Sequence, residues 1–159
     1  WDVRLQPKLG TLEIRVMDAQ TRATDNAALA ALVQCLVRLE ATEGFADADI
    51  ACRPEVLEEN RFLATRDGTR AEFIDPERDG RRPLLHILDE VLTACAPQAA
   101  VLGCEAELAL VPALAGEPGD HRQRLIAGVR QGDAVGPALG RLVSALAGEF
   151  TAPTAAALA

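Results

Sequence analysis

The first eighteen residues, WDVRLQPKLGTLEIRVMD, constrain the fold more than any other stretch. Trp1, Val3 and Leu5 alternate with Asp2, Arg4 and Gln6, and Leu12, Ile14 and Val16 alternate with Thr11, Glu13, Arg15 and Met17. A period of two marks a strand, because successive side chains point to opposite faces. Pro7 to Gly10 supplies turn chemistry between the two runs. The pattern predicts an antiparallel hairpin of Trp1–Leu5 against Thr11–Val16, with Arg4 opposite Glu13 and Asp2 opposite Arg15. Glu13 and Arg15 then share a face, roughly 7 Å apart along the strand. Each cross-strand pair brings opposite charges together. Such a face has two readings. It is the solvated side of a one-sided sheet, or it is a carboxylate and two guanidiniums arranged to hold a divalent metal and phosphates.

Helical periodicity governs most of the remainder. Thr24-Asp25-Asn26 offers an N-cap, followed by Leu29, Leu32, Val33, Leu36 and Val37 at three- and four-residue spacing through about Leu39. This helix is expected to lay its apolar stripe on the sheet, and Gly44 to terminate the segment. Ala46 to Arg53 reads as a polar connection. Pro54 starts a helix to about Arg66, closed by Asp67-Gly68. Glu72 to Asp75 reads as a short strand, followed by a charged, solvated loop from Pro76 to Arg82. Pro83 to Ala96 is a helix that Pro97 is expected to break. Ala99 to Ala115 is rich in Ala and Leu and is interrupted by Gly103 and Pro112. Further helices are expected from Asp120 to about Val129 and from about Ala134 to Phe150, with a frayed tail over Thr151 to Ala159. The sum is a helix-rich α+β fragment. Its hairpin, marginal alone, is expected to complete a larger antiparallel sheet.

Bulk properties exclude several functions. The chain has 159 residues, enough for one domain with a core, and 49% hydrophobic residues, which argues against disorder. The net charge is −8, with one Trp, four Phe and no Tyr. Nucleic-acid binding needs clustered cations and often stacking aromatics, so that class is disfavoured. No unbroken apolar run reaches the ~20 residues that span a bilayer, so no membrane partner is expected. Lys8 is the single lysine among sixteen Lys and Arg residues, a bias that, with abundant Ala, suits a GC-rich bacterial genome. The chain opens inside a motif at Trp1 and reads as the C-terminal piece of a longer protein.

The usual catalytic signatures are missing. His86 and His121 sit in separate helical segments without paired-ligand spacing. There is no nucleophile elbow, P-loop or dinucleotide-binding glycine motif. Cys35, Cys52, Cys95 and Cys104 contain no C-x-x-C pair and read as reduced thiols in a cytoplasm. A reactive thiol wants a cation or helix N-terminus nearby. Gly103 and Glu105 do not supply a cation beside Cys104, which is read as packing.

Three runs carry a resemblance. Trp1-Asp2-Val3-Arg4 with Gly10-Thr11-Leu12-Glu13-Ile14-Arg15-Val16-Met17-Asp18 is similar to a signature of carboxylate–amine ligases of the glutamate–cysteine ligase type 2 family. Glu59-Asn60-Arg61-Phe62-Leu63-Ala64-Thr65-Arg66-Asp67-Gly68 resembles the next signature, and Leu102-Gly103-Cys104 lies where the family often has Leu-Gly-Cys. The resemblance spans Trp1 to about Leu146. It implies a glutamine-synthetase-like catalytic fold, of which residues 1–150 are the C-terminal part. It further implies ATP and Mg²⁺ as cofactors, glutamate and an amine such as cysteine as substrates, and a role in glutathione biosynthesis. In that family the glutamate γ-carboxylate attacks the γ-phosphate of ATP, and the amine displaces phosphate from the acyl phosphate.

Residue by residue, the resemblance makes Glu13 a metal ligand, since Mg²⁺ prefers hard oxygens. It makes Arg15 the catalytic fork on the transferring phosphoryl group or a substrate carboxylate. Arg4, Asn60, Arg61 and Arg66 become substrate- or ATP-binding candidates, Asp2 a partner that orients Arg15, and Trp1 a packing residue. Arg61 and Arg66 are five apart, about 140° round a helix, so both cannot point straight into one pocket. For each, a surface ion pair with Glu58 or Asp67 is the competing reading. One Glu cannot hold a metal cluster. The other acidic ligands are expected from the N-terminal part of the same protein, and this piece alone is expected to be inactive. A homo-oligomer is compatible with this reading. The alternative reading is a non-catalytic acidic helical module that mediates assembly, favoured if Glu13 and Arg15 face open solvent instead of a cleft.

Overall fold

The computed structural model describes residues 3–17, 20–46, 53–76, 80–116 and 135–151. Trp1, Asp2, Cys52, His121, the helix expected from Asp120 and the tail beyond Thr151 lie outside the described residues. Two strands come first, β1 (Val3–Gln6) and β2 (Thr11–Ile14), then helix α1 (Ala23–Glu43) and helix α2 (Pro54–Asp67). A short 3₁₀ turn, Gly68–Arg70, leads into β3 (Glu72–Asp75) and β4 (Gly80–Pro83). Helices α3 (Leu84–Leu102), α4 (Glu105–Leu108), α5 (Val111–Gly116) and α6 (Val135–Thr151) complete the described chain.

The first hairpin forms in the predicted register, with Val3 opposite Ile14, Arg4 opposite Glu13 and Leu5 opposite Leu12. Gly10 takes a positive φ of 64°, a turn conformation that glycine enters without steric cost. Among the described elements, β1 and β2 make extensive contacts only with each other. Their apolar face is uncovered: Val3 is 50% and Leu5 72% exposed, and Leu9 in the turn is 75% exposed.

The core lies among the helices. Ala28, Ala31, Cys35 and Leu39 of α1 pack with Cys95 and Ala99 of α3, Leu108 of α4 and Val111 of α5. Two expectations for α1 therefore change. It packs on α3, α4 and α5 instead of on a sheet, and its buried stripe is offset toward alanine and cysteine, leaving Val37 exposed. Small side chains let helix axes approach closely, and that contact outweighs the larger residues beside it. The helix also starts earlier than predicted, with Arg22 at the N-cap position. Asp25 sits inside the first turn, buried, and accepts a 3.0 Å bond from Arg22 Nε. A carboxylate there complements the positive end of the helix dipole. Gly44 closes α1, as predicted, and does so in the left-handed conformation.

Two further corrections concern the middle of the chain. Pro97 does not break its helix, which runs on to Leu102. The proline removes one backbone bond and crowds the preceding turn. Gln98 and Ala99, just beyond it, are buried, and Gln98 donates to Glu43 Oε1 of α1 at 2.7 Å. Tertiary packing carries the helix past its breaker. The loop expected over residues 76–82 contains β4, which pairs antiparallel with β3, placing Ile74 opposite Arg81 and Phe73 opposite Arg82. The strands form two separate two-stranded sheets among the described residues. Helix α3 is long and apolar enough by length and composition to cross a membrane. Here its Cys95–Ala99 face is part of the helical core.

Candidate functional site

The period of two in β2 decides which charges meet. Glu13 and Arg15 share a face, and the long arginine folds back along the strand so that its Nε donates to Glu13 Oε1 at 2.8 Å. Gln6, on the same face of β1, donates from Nε2 to Glu13 Oε2 at 3.1 Å. Both carboxylate oxygens are thus engaged. The bond from Arg15, then that from Gln6, holds the Glu13 carboxyl below the usual carboxylate range, with the nearby charges of Arg15 and Arg4 adding to them. A glutamate so placed is an anion at neutral pH. Its side chain is 38% exposed and that of Arg15 48%. The face is open to solvent among the described residues, which is what the assembly-module alternative predicts. Gln6 was visible in the sequence only as a neighbour of Arg4 in the alternation. Its role as the second donor to Glu13 follows from the register.

The α2 candidates behave differently from one another. Asn60 clasps the second hairpin: its Nδ2 donates to the Ile74 carbonyl at 3.1 Å, and its Oδ1 accepts from the Ile74 amide at 2.8 Å. Arg61 is exposed and pairs with Glu58 at 3.4 Å. Arg66 grips Asp67 with two bonds of 2.9 and 2.7 Å and lies 5.5 Å from the centroid of the Phe62 ring. That two-pronged bond is the main reason the Asp67 carboxyl lies below its ordinary range, and Arg70 and Arg81 contribute charge from nearby. Arg70 and Arg81 were not singled out from sequence. The available signal was that Glu72–Asp75 needs a partner strand at hairpin distance.

Arg82 is only 19% exposed and bridges Asp75 of β3 and Glu90 of α3. It locks the hairpin to the helix. His86 lies exposed on α3. Among the described residues no group of three His, Cys, Asp or Glu side chains is placed to hold a metal. An apolar groove between α3 and the α4–α5 segment, lined by Leu92, Ala96, Ala99, Leu108 and Pro112, contains none of the predicted site residues. The cluster of Arg4, Gln6, Glu13 and Arg15 lies on the first hairpin and the cluster around Asp67 at the end of α2, and β1 and β2 have no extensive contact with α2.

Comparison with known proteins places this chain in a family. The profile of Glutamate-cysteine ligase family 2 (GCS2) matches residues 1–145. A protein of Rubrobacter xylanophilus named "Putative glutamate--cysteine ligase 2-3" is 45% identical over 108 residues, covering 68% of this chain and 28% of that protein. The type 2-2 protein of Rhodococcus jostii is 36% identical over 85% of this chain and 37% of its own length. The type 2-1 protein of Mycolicibacterium smegmatis is 35% identical over 94% of this chain and 39% of its own length. The chain thus spans between about a quarter and two-fifths of the curated relatives it matches. With the family profile matched from residue 1 to residue 145, this chain belongs to glutamate–cysteine ligase family 2.

Proposed function

We propose that this chain carries part of the active site of an ATP- and Mg²⁺-dependent carboxylate–amine ligase that forms a γ-glutamyl amide. The supporting observation is the cluster of ionised Glu13, Arg15 and Gln6, with Arg4 in register across the hairpin, in a chain of this family. In the proposed reaction the glutamate γ-carboxylate attacks the γ-phosphorus of ATP. ADP leaves, and the amine, such as that of cysteine, displaces phosphate from the acyl phosphate.

The residues fit parts of this chemistry. The bond to Glu13 uses Nε of Arg15, so the terminal nitrogens of its planar fork serve phosphoryl or carboxylate oxygens. Arg4 adds positive charge on the same face. Glu13 is an oxygen donor of the kind a hard cation takes. It fits as one ligand, and the remaining ligands would come from other parts of the full-length protein, from phosphates and from water. Mg²⁺, when bound, offsets the charge of the phosphates. Glu13 would then exchange a bond from Arg15 or Gln6 for the cation. Arg61 and Arg66 are the further substrate-binding candidates, whereas Asn60 has both amide atoms committed to Ile74. The substrates are those of a cytoplasmic enzyme.

Glu13→Gln in the full-length protein tests the reading. The amide keeps the shape and removes the charge. ATP-dependent ligation is expected to be lost while the melting temperature stays near that of the parent. Turnover within a few-fold of the parent at saturating Mg²⁺ would remove Glu13 from the ligand set.

A further inference from the structure

Cys35 and Cys104 are 69 positions apart, yet their Sγ atoms lie 3.7 Å from each other. Both are held there by the fold. Cys35 sits in α1 with no solvent exposure, within the core shared with α3 and α4. Cys104 follows Gly103, whose left-handed conformation (φ 68°) turns the chain out of α3. Its amide donates to the Ala99 carbonyl at 3.1 Å, and its carbonyl accepts from the Leu108 amide at 3.0 Å. These bonds fix the backbone of Cys104 beside α1, and in its observed rotamer the sulfur faces Cys35. Unlike Cys35, Cys104 is partly accessible.

We infer that Cys35 and Cys104 form a thiol–disulfide exchange site that takes a low-molecular-weight disulfide and closes a reversible cross-link between α1 and the turn after α3. The accessible sulfur reacts first. The Cys104 thiolate attacks one sulfur of the reagent, giving a mixed disulfide and releasing one reagent thiolate. That thiolate takes up the proton Cys104 gave up. Cys35 then loses its proton and attacks the Cys104 sulfur. The Cys35–Cys104 bond forms, and the second reagent thiolate departs and is protonated. Two protein thiols are oxidised, and one reagent disulfide is reduced to two thiols.

The sulfurs must close by roughly 1.6 Å, from 3.7 Å to the disulfide length of about 2.05 Å. Burial, with the neighbouring Cys104 thiol adding to it, pushes the Cys35 thiol up to about 11. Burial, the larger cause, persists once Cys104 is a mixed disulfide, so the second step is the slow one, since the thiolate is the nucleophile. Cys95, buried in the same core, is the competing thiol for Cys35. The exchange is independent of ligation, so loss of one reading leaves the other standing.

The test uses the full-length protein, folded, with excess bis(2-hydroxyethyl) disulfide as the probe. Remaining thiols are alkylated, and linkages are mapped by peptide fragmentation in a mass spectrometer. The expected result is a Cys35–Cys104 link in the majority of molecules, reversed by dithiothreitol and unchanged in Cys95→Ala. In Cys35→Ser the reaction is expected to stop at the mixed disulfide on Cys104. Three results would overturn the inference: a reagent adduct on Cys104 in the parent without a cross-link, a Cys35–Cys95 link instead, or no reaction at Cys104 under conditions that modify the denatured chain. The parent protein alone decides between these, should a variant fail to fold.

Discussion

The two hairpins have strands of equal length, four residues each, and contrasting surroundings. The second is held from both sides. Asn60 of α2 clasps Ile74, and Arg82 ties β3 to α3 through Asp75 and Glu90. The first has its Leu5 and Leu9 in solvent and its charges directed at one another. A two-stranded ribbon of this size is marginal in isolation. The second hairpin therefore takes its stability from charges and amides committed to neighbouring elements. The first keeps an ionised carboxylate and two arginines accessible. Charges that are committed to neighbouring elements in one hairpin are exposed in the other. The larger antiparallel sheet expected from sequence would resolve the exposure of Leu5 and Leu9, and belongs to the proposal for the full-length protein.

The contrast makes unequal demands on the two sets of residues, and the largest expected effects fall on the first hairpin. Beyond Glu13→Gln, Arg15→Lys keeps the charge and loses the planar fork. If Arg15 holds a transferring phosphoryl group, kcat in the full-length protein should fall by at least about 10²-fold, equivalent to about 2.7 kcal/mol of transition-state stabilisation. Steady-state ligation kinetics, with melting temperatures alongside, measure this. An unchanged kcat would make Arg15 no more than the partner of Glu13, and the first hairpin would then be as structural as the second.

Asn60→Ala probes the opposite side. It leaves the Ile74 amide and carbonyl, both part-buried, without their partner. Unsatisfied groups of this kind cost about 1–3 kcal/mol. Denaturant unfolding is expected to show a loss in that range, with kcat/KM of the folded enzyme preserved. A variant of full stability that loses activity would reverse the assignment and give Asn60 the substrate-binding role that the family resemblance implies.

How much of this was legible beforehand depended on how local each signal is. The Arg4–Glu13 register and the shared face of Glu13 and Arg15 follow from a period of two and a turn, all within twelve residues, and the structure has both. The α2 boundaries follow from Pro54 and Gly68 at its ends. Strand β4 was hidden because Gly80-Arg81-Arg82-Pro83 has no apolar alternation. It is a strand because β3 lies beside it and Arg82 finds carboxylates on two other elements. Pro97 misled because a breaker rule is local, whereas the burial of Gln98 and Ala99 against α1 is not. For the candidate site the division is the same. The Arg66–Asp67 pair was readable as neighbours in sequence. The placement of Arg81 near Asp67, and of Cys104 against Cys35, required the chain to fold back on itself.

The smallest expected effect concerns Asp67, whose carboxyl, like that of Glu13, is held below its ordinary range by a neighbouring arginine. A carboxylate with a folded pKa below its unfolded value of about 3.9 binds its proton less readily when folded. Its contribution to stability is present above the unfolded pKa and is lost as pH falls through the folded one. Asp67→Asn should therefore melt slightly below the parent at neutral pH, with the gap closing under acid as the parent's own Asp67 becomes protonated. Added salt should also narrow the gap, because exposed charges are screened within a Debye length. Thermal melts of parent and variant across the acid range, at low and high salt, read both effects. A gap that persists at low pH would mean that Asp67 acts as a neutral hydrogen-bond acceptor at the end of α2. The ionic pairing with Arg66 would then carry no stability, and Arg66 would be as available for a substrate oxygen as Arg15 on the first hairpin.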